Sequence, residues 1–160
     1  LIVDFVSPIG IQQQTRNVAS AQYYGGEFGA TWNLAEALTL GANYTYIERD
    51  YDAPTTPAIH PEGVPRHKFF AYADWDITDA LTFTPSLELA SDRWTTTAAT
   101  PLTYYETGDY ALLNAALSWQ VTPQADVLFG ARNLTDQDYQ LADGLPEQGR
   151  NFYLSLRLRN

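Results

Sequence analysis

The sequence predicts an all-β fold, an antiparallel up-and-down transmembrane β-barrel to which this chain contributes about eight strands. Three observations predict it. Apolar and polar residues alternate in one segment after another, short and long connections take turns along the chain, and tryptophans recur at equivalent positions.

In chain order, the stretch Leu1 to Val6 gives a first strand that alternates poorly. The next segment sets Gly26, Phe28, Ala30 and Trp32 opposite Glu27, Gly29 and Thr31. After it, Leu38, Leu40, Ala42, Tyr44 and Tyr46 alternate with Thr39, Gly41, Asn43 and Thr45. Phe69, Ala71, Ala73 and Trp75 stand against Phe70, Tyr72 and Asp74, and Leu81, Phe83, Pro85, Leu87 and Leu89 against Thr82, Thr84, Ser86 and Glu88. Then come Leu113, Ala115, Leu117 and Trp119 opposite Asn114, Ala116 and Ser118, and Val127, Phe129 and Ala131 opposite Asp126, Leu128 and Gly130. The last segment sets Phe152, Leu154, Leu156 and Leu158 against Tyr153, Ser155, Arg157 and Arg159. Each strand is expected to be roughly 9–11 residues long, enough to cross a bilayer when tilted. Pro85 has no N–H to give to a ladder, so a bulge or weakened pair is expected there. The one helix-like stretch, Leu34 to Leu40, is too short and runs straight into alternation.

Short turns are expected at Asn33 to Glu36, Ile77 to Ala80 and Val121 to Gln124. Long loops are expected at Ser7 to Ala21, Asp50 to Pro65, Ser91 to Asp109 and Leu134 to Gly149. In a meander this puts all short turns at one end and all long loops at the other, the asymmetry of outer-membrane barrels. Trp32, Trp75 and Trp119 each close a strand on its apolar side just before a short turn, as a membrane-interface girdle requires. Thr, Ser, Gly and Asn make up the other face, which suits a wet or plugged lumen better than a soluble protein's exterior.

Composition narrows the function classes. A formal net charge of −10 over 160 residues argues against nucleic acid as a partner. With no Cys there is no disulfide framework, thiolate metal site or cysteine nucleophile. No apolar run is long enough for a membrane-spanning helix, and the start lacks a signal peptide, so any span must be β. The absence of Met predicts a processed or excised chain.

The segment Asn133-Leu134-Thr135-Asp136-Gln137-Asp138-Tyr139, followed by Gly149-Arg150-Asn151-Phe152 and a final alternating strand, resembles the C-terminal signature of the TonB-dependent outer-membrane receptors. Gly26-Glu27 and Val64-Pro65-Arg66-His67-Lys68, each opening a strand, resemble the same family. Asn133 and Asp136 suit a strand exit by bonding local backbone, and Gly149 permits a tight return. The family usually ends in an aromatic residue where this chain has Asn160, which predicts a trimmed or altered end or less efficient assembly.

The resemblance implies a barrel of about 22 strands around an N-terminal plug. Residues 1–160 would then be a C-terminal barrel segment, with the plug domain absent. It also implies a bacterial outer-membrane location and partners in membrane lipid, the plug, a periplasmic energy-coupling protein and a small ligand, most simply a ferric siderophore. The implied function is energised uptake of a scarce nutrient. The runner-up is a self-contained barrel of about eight strands with a structural or interaction role, in which the first and last strands would pair.

Chemical sites are sparse. His60 and His67 are the only histidines and read as surface or rim groups; no residue pattern specifies a metal site, a cofactor or a catalytic group, and an enzyme is not expected. Glu48, Asp50 and Asp52 alternate beside a long loop and read as a solvated acidic stretch. The candidate ligand contacts are Arg93, Trp94, Tyr104, Tyr105 and Tyr139, whose rings and guanidinium suit an aromatic, anionic chelate.

Overall fold

A computed structural model describes residues 2–7, 10–15, 20–52, 59–97 and 100–159, with side chains from residue 20 onward within those ranges. The segments that alternate in sequence are the strands of one antiparallel seven-stranded sheet: β3 (Ser20–Ala35), β4 (Leu38–Asp52), β5 (His67–Thr78), β6 (Leu81–Ala90), β9 (Tyr110–Thr122), β10 (Ala125–Arg132) and β13 (Asn151–Leu158). The order is β13-β10-β9-β6-β5-β4-β3, so each strand neighbours the one expected of a meander. β1 (Ile2–Ser7) and β2 (Gly10–Thr15) pair with each other.

Several expectations need correction. Ser7 to Ala21 is not one loop, since it contains β2 and the start of β3. The run Gln12-Gln13-Gln14 has no apolar alternation, so only the backbone ladder to β1 makes it a strand. Gly26 lies inside β3, which with β4 reaches 16 and 15 residues, well beyond the expected span, while β10 and β13 stop at 8. Two loops carry their own hairpins: β7 (Trp94–Thr96) with β8 (Tyr104–Glu106), and β11 (Gln140–Ala142) with β12 (Leu145–Pro146). Among the described residues β3 and β13 are the outer strands of the sheet and are not paired, so the closed eight-stranded arrangement is not formed. Asn160 lies outside the described residues.

The short connections are tighter than expected, two residues each at Glu36-Ala37, Asp79-Ala80 and Pro123-Gln124. Beside each, the register shifts by a bulge, between Asn33 and Ala35, between Asp76 and Thr78, and between Ala125 and Asp126. Pro85 weakens its pair without a bulge. The β5–β6 ladder runs to Tyr72↔Ser86 and resumes at Trp75↔Phe83 in the same register, while Thr84 Oγ1 donates to Asp74 Oδ1 at 2.8 Å across the gap.

The pairings Trp32↔Leu40 and Leu38↔Trp75, then Trp75↔Phe83 and Leu81↔Trp119, step two residues for every two strands. With a rise of about 3.3 Å per residue and about 4.8 Å between strands, that step brings the three indoles level when the strands tilt by about 35°, a typical barrel tilt. One face of the sheet leaves Phe28, Trp32, Tyr44, Trp75, Leu89, Leu113, Trp119, Phe129 and Leu154 exposed, at least one on each of the seven strands, an apolar surface that water disfavours. The other face is laced by polar cross-strand pairs: Thr82 to Asp76 at 2.6 Å, Asn114 to Ser86 at 3.4 Å and Lys68 with Glu88 at 3.1 Å. The only packed core among the described residues, Ala90, Tyr110 and Leu112, lies at the long-loop end of the sheet.

Candidate functional site

The long-loop end is built around Asn133, which follows β10 directly. Its backbone is left-handed, φ 51°, a conformation that asparagine tolerates because its short amide bonds local backbone. The Asn133 amide donates to the carbonyls of Gln137 (2.9 Å) and Gln148 (3.3 Å), and its Oδ1 accepts the Gln137 N–H at 2.9 Å. Asp136, φ 55°, accepts the Arg150 N–H at 2.7 Å. A Cβ on Gly149 would stand 2.9 Å from the same Asp136 oxygen, so the return of the chain is narrow. Leu134 N–H donates to the Leu113 carbonyl on β9. Phe152 leaves this junction on the apolar face, stacked on Phe129 at 6.1 Å. The knot ties both ends of loop 134–149 to the top of the wall and aims Tyr139 inward.

Tyr139 packs on Tyr110 with ring centroids 4.7 Å apart, and Arg93 lies over the other ring of that pair, its guanidinium carbon 5.3 Å from the Tyr110 centroid. Tyr110 donates to Glu88 at 3.0 Å, and Glu88 also holds Lys68. Arg93 is 7% exposed, and its Nε and Nη2 have no hydrogen-bond partner among the described residues. An arginine cannot shed its proton, and each buried donor left unpaired costs about 1–3 kcal/mol.

Trp94 belongs to a second cluster. His60 stacks on it at 3.7 Å with rings 13° apart, and Tyr104 meets His60 edge-on at 5.4 Å. The segment carrying His60 is held to β7 by Gly63 N–H donating to the Trp94 carbonyl at 3.0 Å and by Thr96 Oγ1 donating to Glu62 at 3.1 Å. Arg49 fixes the same segment from β4, donating to the carbonyls of Pro61, Glu62 and Val64. Tyr105 faces the other way, donating to Asp143 Oδ1 at 2.5 Å and accepting from Gln140 at 3.1 Å. That bond to Asp143 and partial burial raise its pKa above the ordinary tyrosine value. Thus the five candidates fall into three groups: Arg93 with Tyr139, Trp94 with Tyr104, and Tyr105 alone.

Two clefts open beside them. One of about 460 Å³ lies over the polar face and is lined by Ser86, Glu88, Asn114, Tyr139, Gln148 and Tyr153. The other, about 480 Å³, is lined by His60, Arg66, Asp92, Arg93, Trp94 and Glu106. Burial, and the hydrogen bond that protonated Glu106 donates to Asp92, raise the pKa of Glu106 above the ordinary carboxylate value. Sequence reasoning missed Tyr110, Glu88 and the stacking role of His60. Glu88 had one legible sign, as the only acid on the polar side of its strand. Glu48 is paired with Arg66 at 2.7 Å and accepts from Tyr46; His67 hydrogen-bonds Tyr44 at 2.7 Å on the apolar face.

The family model described as "TonB dependent receptor-like, beta-barrel" matches residues 1–134, so most of the C-terminal signature lies beyond the match. The chain is similar to the iron-regulated outer membrane virulence protein of Vibrio cholerae serotype O1, 23% identical over 141 residues, which cover 88% of this chain and 22% of that protein. It therefore spans about a fifth of the curated relatives it matches. Its fold is similar to the ferripyoverdine receptor of the Pseudomonas aeruginosa outer membrane, with TM-score 0.70, 19% identity, and 86% of this chain and 19% of that one covered. It also resembles a variant of the ferric enterobactin receptor of P. aeruginosa in complex with enterobactin, with TM-score 0.73, 20% identity, and 98% and 27% covered. A chain of exposed apolar face, hydrogen-bonded polar face and knotted outer loops is the wall of such a barrel. The chain belongs to the TonB-dependent receptor β-barrel family, a family of transport receptors, and its place is the bacterial outer membrane.

Proposed function

We propose that residues 1–160 form the C-terminal part of the barrel wall of a receptor that takes up a scarce nutrient, most simply a ferric siderophore, across the outer membrane. In this reading a plug domain outside this chain fills the lumen, and a periplasmic coupling protein supplies the energy that moves it. The observation that carries the proposal is the loop end, where Arg93 and Trp94 line one cleft and Tyr139 the other, while among the described residues the turn end has only two-residue connections. The similar solved structures, receptors for ferripyoverdine and for ferric enterobactin, support the substrate class. Trp32, Trp75 and Trp119 then mark the periplasmic headgroup level, and the exposed apolar face meets lipid.

The test is radio-iron uptake from ferric siderophores by iron-starved cells whose only such receptor is the full-length protein carrying this chain. Uptake that disappears when the coupling protein is deleted supports the reading. Cells that neither bind nor accumulate any ferric chelate sink it.

A further inference from the structure

Among the described residues Arg93 is a cation without an anion. Its Nε and Nη2 atoms, both buried and both lacking an acceptor, are the adjacent N–H groups of one edge of the guanidinium, the fork that grips two oxygens of one planar anion. The Tyr110 ring beneath it satisfies neither N–H. Two acids beside it are engaged elsewhere: Glu88 by Tyr110 and Lys68, and Asp92 by Glu106. The cation lines the 480 Å³ cleft, whose other walls include the His60–Trp94 stack.

We propose that Arg93 is a carboxylate anchor: its Nε/Nη2 edge takes both oxygens of a carboxylate on the chelate that the receptor captures, beside the Trp94 and His60 rings. The inference rests on the uptake reading above and narrows it to carboxylate-bearing chelates. Asp92 and Glu106 line the same cleft and repel anions in general, so only a group that makes the paired bond gains from entering. In the conformation described here the edge is closed, so the loop segment held by Glu62 and His60 must shift for the carboxylate to reach it.

The test uses the full-length receptor in detergent, titrated by tryptophan fluorescence with a neutral ferric trihydroxamate, with the same chelate bearing one pendant carboxylate that does not coordinate the iron, and with the primary amide of that carboxylate. The expected result is that the wild-type protein binds the carboxylate chelate at least about tenfold more tightly than the amide chelate, and that Arg93→Lys, which keeps the charge but loses the fork, removes that preference. The wild-type comparison needs no variant, so a folding defect in Arg93→Lys does not protect the inference. Equal binding of the carboxylate and amide chelates overturns the carboxylate anchor and leaves the uptake reading standing. Failure to bind any of the three, together with failure of the uptake assay, overturns both. If Arg93→Lys lowers the melting temperature of the ligand-free receptor yet leaves the carboxylate preference intact, the anion comes from the receptor's own polypeptide, and the inference is wrong.

Discussion

Gly130 lies directly beneath the ring of its cross-strand partner Tyr153: a Cβ there would stand 2.0 Å from the tyrosine Cζ. The ring covers the bare backbone on the polar face and carries Arg132, whose guanidinium is 5.2 Å from the ring centroid. The same arrangement recurs between β4 and β5, where Gly41 lies under its partner Tyr72 and a Cβ would stand 2.2 Å from the ring's Cε1. Aromatic cover of a strand glycine is a recognised way to pin register.

This gives a graded prediction for alanine at three glycines. At Gly25 the new Cβ would meet the Tyr46 carbonyl oxygen at 2.2 Å, backbone that cannot swing aside, whereas at Gly130 the Tyr153 ring can move. Gly26 has open space. Gly25→Ala should be the most destabilising, Gly130→Ala should cost about 1–3 kcal/mol, and Gly26→Ala should fall within about 0.5 kcal/mol of wild type. Urea unfolding of the refolded receptor in detergent checks the order; a Gly25→Ala as mild as Gly26→Ala contradicts it.

Asn133→Ala should cost on the order of 3 kcal/mol, because it removes three side-chain hydrogen bonds and leaves a non-glycine residue at φ 51°. Asn133→Gly should recover part of that loss by relieving the backbone alone. The readout is limited proteolysis of loop 134–149, which should be cut sooner in the order alanine, glycine, wild type.

The sidedness of the wall makes a third prediction. Leu87 and Ser86 are neighbours on β6 that project to opposite faces, the first apolar and the second polar. Leu87→Arg should destabilise the barrel by about 2–4 kcal/mol if its face meets the bilayer core, and Trp75→Arg, near one end, by about 0–1 kcal/mol from the charge. Ser86→Arg should fold. Bilayer-refolding titrations in which Ser86→Arg is worse than Leu87→Arg would reverse the assignment of faces.

Glu106 supplies a pH dependence. Its folded pKa is raised, so the folded state binds its proton more tightly than the unfolded state, and stability is lost as pH rises through and above the ordinary carboxylate range. Glu106→Gln should flatten that part of the curve while keeping a hydrogen-bonding group beside Asp92. Melting temperatures of the two proteins across mildly acidic to neutral pH check it; parallel curves count against the raised pKa of Glu106.

The seven wall strands were legible in the sequence because a sheet between lipid and a polar lumen favours period-two alternation, clearest in Leu81 to Leu89 and Phe152 to Leu158. The tryptophan spacing and the Asn133 to Arg150 signature were legible for a related reason: turns and left-handed residues accept few residue types. β2 was not legible, since its glutamine run satisfies a backbone ladder without any side-chain pattern. The grouping of the candidate contacts was not legible either. His60 meets Trp94 and Tyr105 meets Asp143 across 34 and 38 positions of chain, and which ring finds which partner depends on how three loops pack at one end of the wall. That Arg93 is buried with an open fork is likewise a fact of tertiary packing, because an arginine in a polar loop reads from sequence as an exposed one. Local alternation thus determined the wall, and only long-range packing of the loops decided the chemistry at its mouth.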